Sequence, residues 1–212
     1  MTSQFSLFKS ATPGVPEGLR YQPSLITERE ESALLTRVRD LPFKEFEFHG
    51  YKGKRRVVSF GWQYEFSGRG KLLKADDVPE FLLPLRTLAG QLAGIEPESL
   101  QHVLVIEYGP GAGIGWHRDK PVFGEVVGVS LLAPCMLRFR KKVIATTMSA
   151  SDTGHSSRDS SKHRSEWERA SLFAEPRSAY YLNGPARWEW EHSILRVETL
   201  RYSITFRNMI EQ

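Results

Sequence analysis

His117-Arg118-Asp119 stands behind a glycine-rich turn, Gly109-Pro110-Gly111-Ala112-Gly113-Ile114-Gly115, and a second histidine, His192, follows late in the chain. Two histidines and one carboxylate are the ligand set of a non-haem Fe(II) centre that keeps positions open for oxygen and a co-substrate. If the chain around His117 is extended, side chains two residues apart point to one side, so the imidazole and the Asp119 carboxylate can grip one ion together. The best third ligand is His192. Alternation over an expected strand, Trp188–Ser193, puts Trp188, Trp190 and His192 on one face and Glu189 and Glu191 on the other. Alone, an H-x-D triplet is a weak signal, and a histidine beside Trp190 more often belongs to a core or a surface.

The strand Arg201-Tyr202-Ser203-Ile204-Thr205-Phe206-Arg207 changes the balance. Tyr202, Ile204 and Phe206 form an apolar face, and Arg201, Ser203, Thr205 and Arg207 a polar one. In a jelly roll the apolar face packs on the core and the polar face lines the barrel, where buried arginines need anionic partners. Carboxylates match the guanidinium fork. Fe(II) beside an Arg-bound dicarboxylate describes a 2-oxoglutarate-dependent oxygenase. The competing reading, a surface strand with both arginines in water, leaves the periodic hydroxyls unexplained. The glycines are not a phosphate loop, since G-x-x-x-x-G-K-[ST] is absent; they read as tight turns that bring His117 to the barrel mouth.

The elements that must position these residues are short strands separated by Gly, Pro and Asn turns: His102–Tyr108, Val126–Leu132, Met136–Arg140, Ala170–Glu175, Ala179–Leu182, Trp188–Ser193 and Arg201–Arg207. A further strand is expected at Leu19–Leu25. Helices fall in the first half. Thr27 and Glu30 form a capping box before Leu34, Leu35 and Val38, and a second helix is expected from about Pro79 to Ala93. The expected fold is mainly β with flanking α: a jelly roll, or double-stranded β-helix, with N-terminal helices packed on one sheet. Within a single domain, residues 1–18 form an arm, 19–100 hold the helices and a basic, aromatic lid hairpin, and 101–210 form the core. The Ser-rich segment at about 145–165 reads as a mobile loop with solvated histidines at His155 and His163.

At 212 residues the chain can bury a sizeable core, and 40% hydrophobic residues is ordinary for a globular protein. No apolar stretch approaches the ~20 residues of a membrane span, and no secretory signal is evident. A cytoplasmic or, in a eukaryote, nuclear monomer is expected. The single cysteine, Cys135, excludes an internal disulfide and reads as an inert buried thiol. A net charge of +4 is compatible with a polyanionic partner. The charge is concentrated: Lys52, Lys54, Arg55 and Arg56, then Arg69, Lys71 and Lys74, lie among Phe48, Tyr51, Phe60, Trp62 and Tyr64. Such a mixture can bind phosphates and stack bases, or be a solvated hairpin whose aromatics serve the core.

Ile106-Glu107-Tyr108-Gly109-Pro110-Gly111, His117-Arg118-Asp119, His192, the stretch PRSAYYLNGPARWEWEHSI and RYSITFR together resemble the AlkB family of Fe(II)/2-oxoglutarate dioxygenases. The likeness covers roughly 100–141 and 168–208. It implies a double-stranded β-helix, Fe(II), 2-oxoglutarate and O2 as cofactor and co-substrates, and oxidative demethylation that releases formaldehyde, succinate and CO2. It implies metal ligation by His117, Asp119 and His192. The distal carboxylate of 2-oxoglutarate falls to Tyr108 and Arg201, its end nearer the metal to Arg207, and Ser203 lies among these contacts. The family often carries Asn at the positions of Ile106 and Ser203. Base-repair members carry an acid where this chain has Pro121, so readout of a methylated base through that carboxylate is not available.

Around the mouth the expected substrate contacts are Trp62, Tyr64, Trp116, Arg118, Arg55 and Arg56, clamping a base of single-stranded DNA or RNA. Core packing is the plainer role for Trp62 and Trp116. Three functions compete: a demethylase of N-alkylated bases, the same oxygenase acting on a protein side chain or small molecule, and a non-catalytic binding module. The intact His-Asp-His set with both late arginines argues against the third.

Overall fold

The computed structural model describes residues 15–48, 51–65, 71–143 and 166–210. After a short strand, Leu19–Gln22 (β1), the capping box forms as its residues require: the Thr27 hydroxyl accepts from the Glu30 amide, and the Glu30 carboxylate accepts from the Thr27 amide at 2.7 Å. That cap starts Glu28–Val38 (α1), whose Leu35 and Val38 are buried. The second helix, Leu83–Ala93 (α2), is preceded by one tighter turn, Glu80–Leu82, so the expected span from Pro79 divides in two. Between these helices run Lys44–Phe48 (β2), Tyr51–Phe60 (β3), Trp62–Glu65 (β4) and Lys71–Lys74 (β5).

The remaining strands are His102–Tyr108 (β6), Ile114–His117 (β7), Phe123–Leu131 (β8), Cys135–Val143 (β9), Glu166–Ala174 (β10) and Ala179–Leu182 (β11). A one-turn helix, Gly184–Trp188 (α3), then leads to Glu191–Ile194 (β12) and Arg201–Met209 (β13). One antiparallel sheet has the order β1-β11-β8-β13-β6-β3-β2, the other β10-β9-β12-β7, and β4 pairs with β5 alone. The outer side of the larger sheet, with Val103, Val105, Val127, Val129, Tyr202, Ile204 and Phe206, packs on Leu35 and Val38 of α1 and on Leu85 and Ala89 of α2. Its inner side faces Leu137, Phe139 and Ile194 of the smaller sheet. This is the mainly β jelly roll with helices on one sheet that the patterning predicts.

The Trp188–Ser193 strand is corrected. Pro185 occupies the first turn of α3, where its missing N–H and fixed φ favour helix, so only Glu191 onward is extended. Trp188 ends that helix 43% exposed, whereas Trp190 is buried. The Ser-rich segment and residues 1–14 of the arm lie outside the described residues.

Inside the barrel, Gly128 of β8 stands directly opposite Tyr180 of β11, and a Cβ there would run into the phenol ring. Gly128→Ala should therefore destabilise the chain by about 1–3 kcal/mol through overpacking. In urea denaturation the loss should shrink in a Gly128→Ala/Tyr180→Leu double variant; strictly additive effects of the two substitutions would contradict this packing.

Candidate active site

Strand alternation brings the candidate ligands together. His117 closes β7 directly opposite His192 of β12, and their rings lie 4.3 Å apart. Two residues on, Asp119 reaches the same place, with Oδ2 at 3.6 Å from His192 Nε2. The turn before β7 is pinned to the segment after β12: Gly111 N–H donates to Val197 O at 2.7 Å, and Val197 N–H to Ala112 O at 2.9 Å. Gly113 passes so close to Ile194 and Arg196 that a side chain would meet their backbone. The Nδ1 of His117 lies 2.9 Å from Gly115 O; a carbonyl only accepts, so Nδ1 donates and the Nε2 lone pair is left for a ligand.

Asp119 is held from behind by the end of β13. Arg207 donates from Nε at 2.9 Å and Nη2 at 2.6 Å, both to Oδ1. The Oδ2 oxygen is buried without a hydrogen bond. Burial pushes the Asp119 carboxyl up, but Arg207 and then His192 and His117 outweigh it, and the acid sits well below the usual carboxylate range. Burial, with His117 nearby, brings His192 down to about 3, and burial likewise lowers His117. One ionised carboxylate beside two neutral imidazoles is the protonation state a divalent metal requires. These donors are gathered rather than closed on a centre: no group of His, Cys, Asp or Glu among the described residues already meets at ligating distances.

Behind the donors Arg201 lies 1% exposed, with its guanidinium 4.8 Å from the Tyr108 ring centroid. It donates to the Ser130 hydroxyl from Nε at 3.3 Å and Nη2 at 3.1 Å, while Nη1 is buried without a partner. Such a buried cation asks for an anion, and a carboxylate supplies one.

Comparison with known proteins gives the superfamily. Residues 18–207 match the model of the 2OG-Fe(II) oxygenase superfamily. The chain belongs to that superfamily. It is 28% identical, over 84% of its length, to the alkylated DNA repair protein ALKBH8 homolog of Arabidopsis thaliana, covering 50% of that protein. It is 31% identical, over 53% of its length, to the probable RNA/DNA demethylase ALKBH6 of Danio rerio, covering 45% of it. The chain thus spans about half the length of these two relatives. The fold recurs in OsALKBH1 (TM-score 0.60, 14% identity, 90% of this chain and 98% of that one). It recurs also in a Pseudomonas putida prolyl-4-hydroxylase (TM-score 0.54, 12% identity, 92% and 94%). The superfamily's cofactor is Fe(II), used with 2-oxoglutarate and O2.

The residues fit both groups. His117, Asp119 and His192 would hold the iron, and Asp119 Oδ2 is the atom left over for it. Arg201 and Tyr108, paired in register on β13 and β6, would hold a 2-oxoglutarate carboxylate. Ser203 is buried between Ile106 and Ser130 on the same inner face. Arg207, expected at the co-substrate's near end, commits two donors to Asp119, and its Nη1 lies 3.3 Å from His102 Nδ1.

The structure divides the expected substrate residues. Tyr64 lies at the mouth: Lys120, next to Asp119, has its ammonium 5.1 Å from the Tyr64 ring centroid. Arg118 is at the rim, donating to Trp188 O at 3.2 Å. Arg55 is half-buried on the inner side, 3.9 Å over the Phe46 ring, with Nε unpartnered, and burial lowers its pKa. The neighbouring Arg56 turns to the opposite side of the sheet, where it forks onto Glu107 at 2.7 and 2.9 Å. Trp62 lies over Lys74 of β5, beside Val78 and Leu83. Trp116 faces away from the donors, its ring against Arg138 and Arg140. Cys135 is buried and its thiol pushed up by burial, as an inert thiol would be.

Sequence reasoning missed three partners. Arg187 of α3, buried, donates to Gly124 O at 2.6 Å, Phe123 O at 2.5 Å and Lys120 O at 2.9 Å, latching the loop that follows Asp119. Nothing in the sequence marks it. His102, kept neutral by burial and then by Arg207, had a readable sign: it shares the inward face of β6 with Tyr108. Ser130 had none.

The titration gives a signed expectation. The folded chain holds His192 and His117 below the ordinary 6.5, so the unfolded chain binds more protons from pH 6.5 down toward 3. Stability of the metal-free protein should fall on acidification through that window, by up to about 1.4 kcal/mol per pH unit for each proton. Asp119, whose acid is lowered, adds a further loss below its ordinary 3.8. Urea midpoints between pH 7 and 4 check this. His192→Gln should flatten the slope, and an unchanged slope would refute the assignment.

Proposed function

We propose that this chain demethylates N-alkylated bases in single-stranded DNA or RNA, using Fe(II), 2-oxoglutarate and O2 and releasing formaldehyde, succinate and CO2. The observation that carries the oxygenase chemistry is the pair of unsatisfied buried atoms, Asp119 Oδ2 and Arg201 Nη1, each lacking what the iron and the dicarboxylate would provide. The nucleic-acid reading is supported by the names of the two relatives and by the aromatic and cationic mouth of Tyr64, Lys120 and Arg118. Bound iron supplies the power to oxidise an unactivated C–H bond. The chain's own residues do the positioning. Arg201 with Tyr108 fixes the co-substrate's far end, Arg207 holds Asp119 so that one oxygen faces the centre, and Arg187 fixes the loop carrying Lys120 to the mouth. We take the working unit to be a monomer. Pro121 favours a second reading, the same oxidation of a protein side chain.

Turnover on methylated single-stranded DNA, methylated RNA and a peptide panel, read as formaldehyde and by product mass, separates the two. Formaldehyde from a strand and none from peptides is expected; oxidation of peptides alone would reverse the assignment. His117→Ala or Asp119→Ala should abolish succinate formation. Arg201→Met should weaken 2-oxoglutarate binding by about 2–5 kcal/mol, some thirty-fold or more. Near-parental 2-oxoglutarate affinity in that variant would remove Arg201 from the site.

A further inference from the structure

On the reverse of the strands that hold the ligands lies a face that the chemistry does not use. Alternation that sends Leu137 and Phe139 inward sends Arg138, Arg140 and Lys142 of β9 outward, and in register beside them stand Trp167 and Arg169 of β10. Trp116 of β7 joins them. The Arg140 guanidinium is sandwiched between two indoles, 4.5 Å from the Trp116 centroid and 4.4 Å from that of Trp167, and donates to Glu191 at 2.6 Å. Arg138 lies 4.9 Å from the Trp116 centroid and donates to the Ser193 hydroxyl at 3.1 Å. Lys142 and Arg169 are exposed. Neither apolar core includes any of these six residues.

We propose that this outer face of the smaller sheet is a docking surface for the phosphodiester backbone of a nucleic-acid strand. The charge carries the argument: among the described residues, four cations share the face with one carboxylate, Glu191, already committed to Arg140. A face that only stiffened the sheet would gain nothing from uncompensated like charges so close together. Arginine laid flat on indole keeps its N–H edge directed outward for phosphate, and indole faces accept bases of any sequence. Trp116 and Glu191 are the chain neighbours of His117 and His192, so a strand held here would lie on the other side of the same backbone from the donors. The inference deepens the nucleic-acid reading and rests on it, extending contact beyond the base that enters the site.

The test uses the full chain and an unmethylated 20-nucleotide single strand, so that binding is read without turnover. Fluorescence anisotropy across a salt series gives affinity and slope, and uncoupled 2-oxoglutarate turnover gives the state of the oxygenase site. Lys142→Gln/Arg169→Gln should weaken binding at low salt by roughly ten-fold and reduce the salt slope by about 1.4, the effect of two lost phosphate contacts. Turnover should be unchanged, and Lys142→Arg/Arg169→Lys should keep the parental slope. Trp167→Ala should lower affinity without changing the slope. Parental affinity and slope in the glutamine pair would overturn the proposal, as would equal binding of a polyglutamate peptide, which would make the face a general polyanion or protein contact. Strand binding intact while methylated strands give no formaldehyde would reject the demethylase reading alone.

Discussion

A carboxylate cannot stay ionised in a barrel interior without a counter-charge, and the rest of the site depends on how Arg207 meets that condition for Asp119. Both donors converge on Oδ1, so the arginine neutralises the acid and also decides which oxygen is left over. Removing one member of such a buried pair typically costs about 3–5 kcal/mol, because it strands the other charge. The arrangement therefore ties site geometry to fold stability: the same contact orients the candidate metal donor and fastens the segment before β8 to the end of β13. Arg187 repeats the principle with carbonyls alone, directing a buried cation at three backbone oxygens of one loop.

The barrel has divided labour by strand parity. On β13 the even-numbered residues Tyr202, Ile204 and Phe206 join the core under the helices, and the odd-numbered Arg201, Ser203, Thr205 and Arg207 line the interior. β6 and β8 keep the same parity, bringing Tyr108 and Ser130 beside Arg201 among the apolar side chains of Leu104, Ile106 and Val126. The smaller sheet is split the same way. Its inward residues bring His192 to His117, and its outward ones carry tryptophans and arginines on the far side of the same backbone.

Much of this was legible in the sequence because it is written as alternation or as local chemistry. His102–Tyr108 and Ala179–Leu182 begin and end as their patterns predict, and the capping box is a matter of four consecutive residues. Where alternation was accidental, it misled. Trp188-Glu189-Trp190-Glu191-His192 has period two throughout, yet Pro185 starts a helical turn that takes Trp188 out of the strand. Direction was equally hidden for Trp116 and Arg56. Each has a sequence neighbour facing the donors, and parity alone does not say which of two adjacent residues turns inward. Contacts across long separations left no trace at all: Arg187 finds its carbonyls more than sixty residues away, and Arg207 finds Asp119 across 88.

The order of the larger sheet has a consequence for how the chain comes to exist. β13 follows the other described strands along the chain, but it lies between β8 and β6 in the middle of its sheet. Until about residue 209 has left the ribosome, those two strands each present an open edge to the solvent, and Asp119 has no counter-charge. A nascent chain of this protein is thus a half-closed barrel with two sticky borders, the kind of intermediate that chaperones hold. β13 acts as a keystone, inserted after its neighbours and sealing both halves at once.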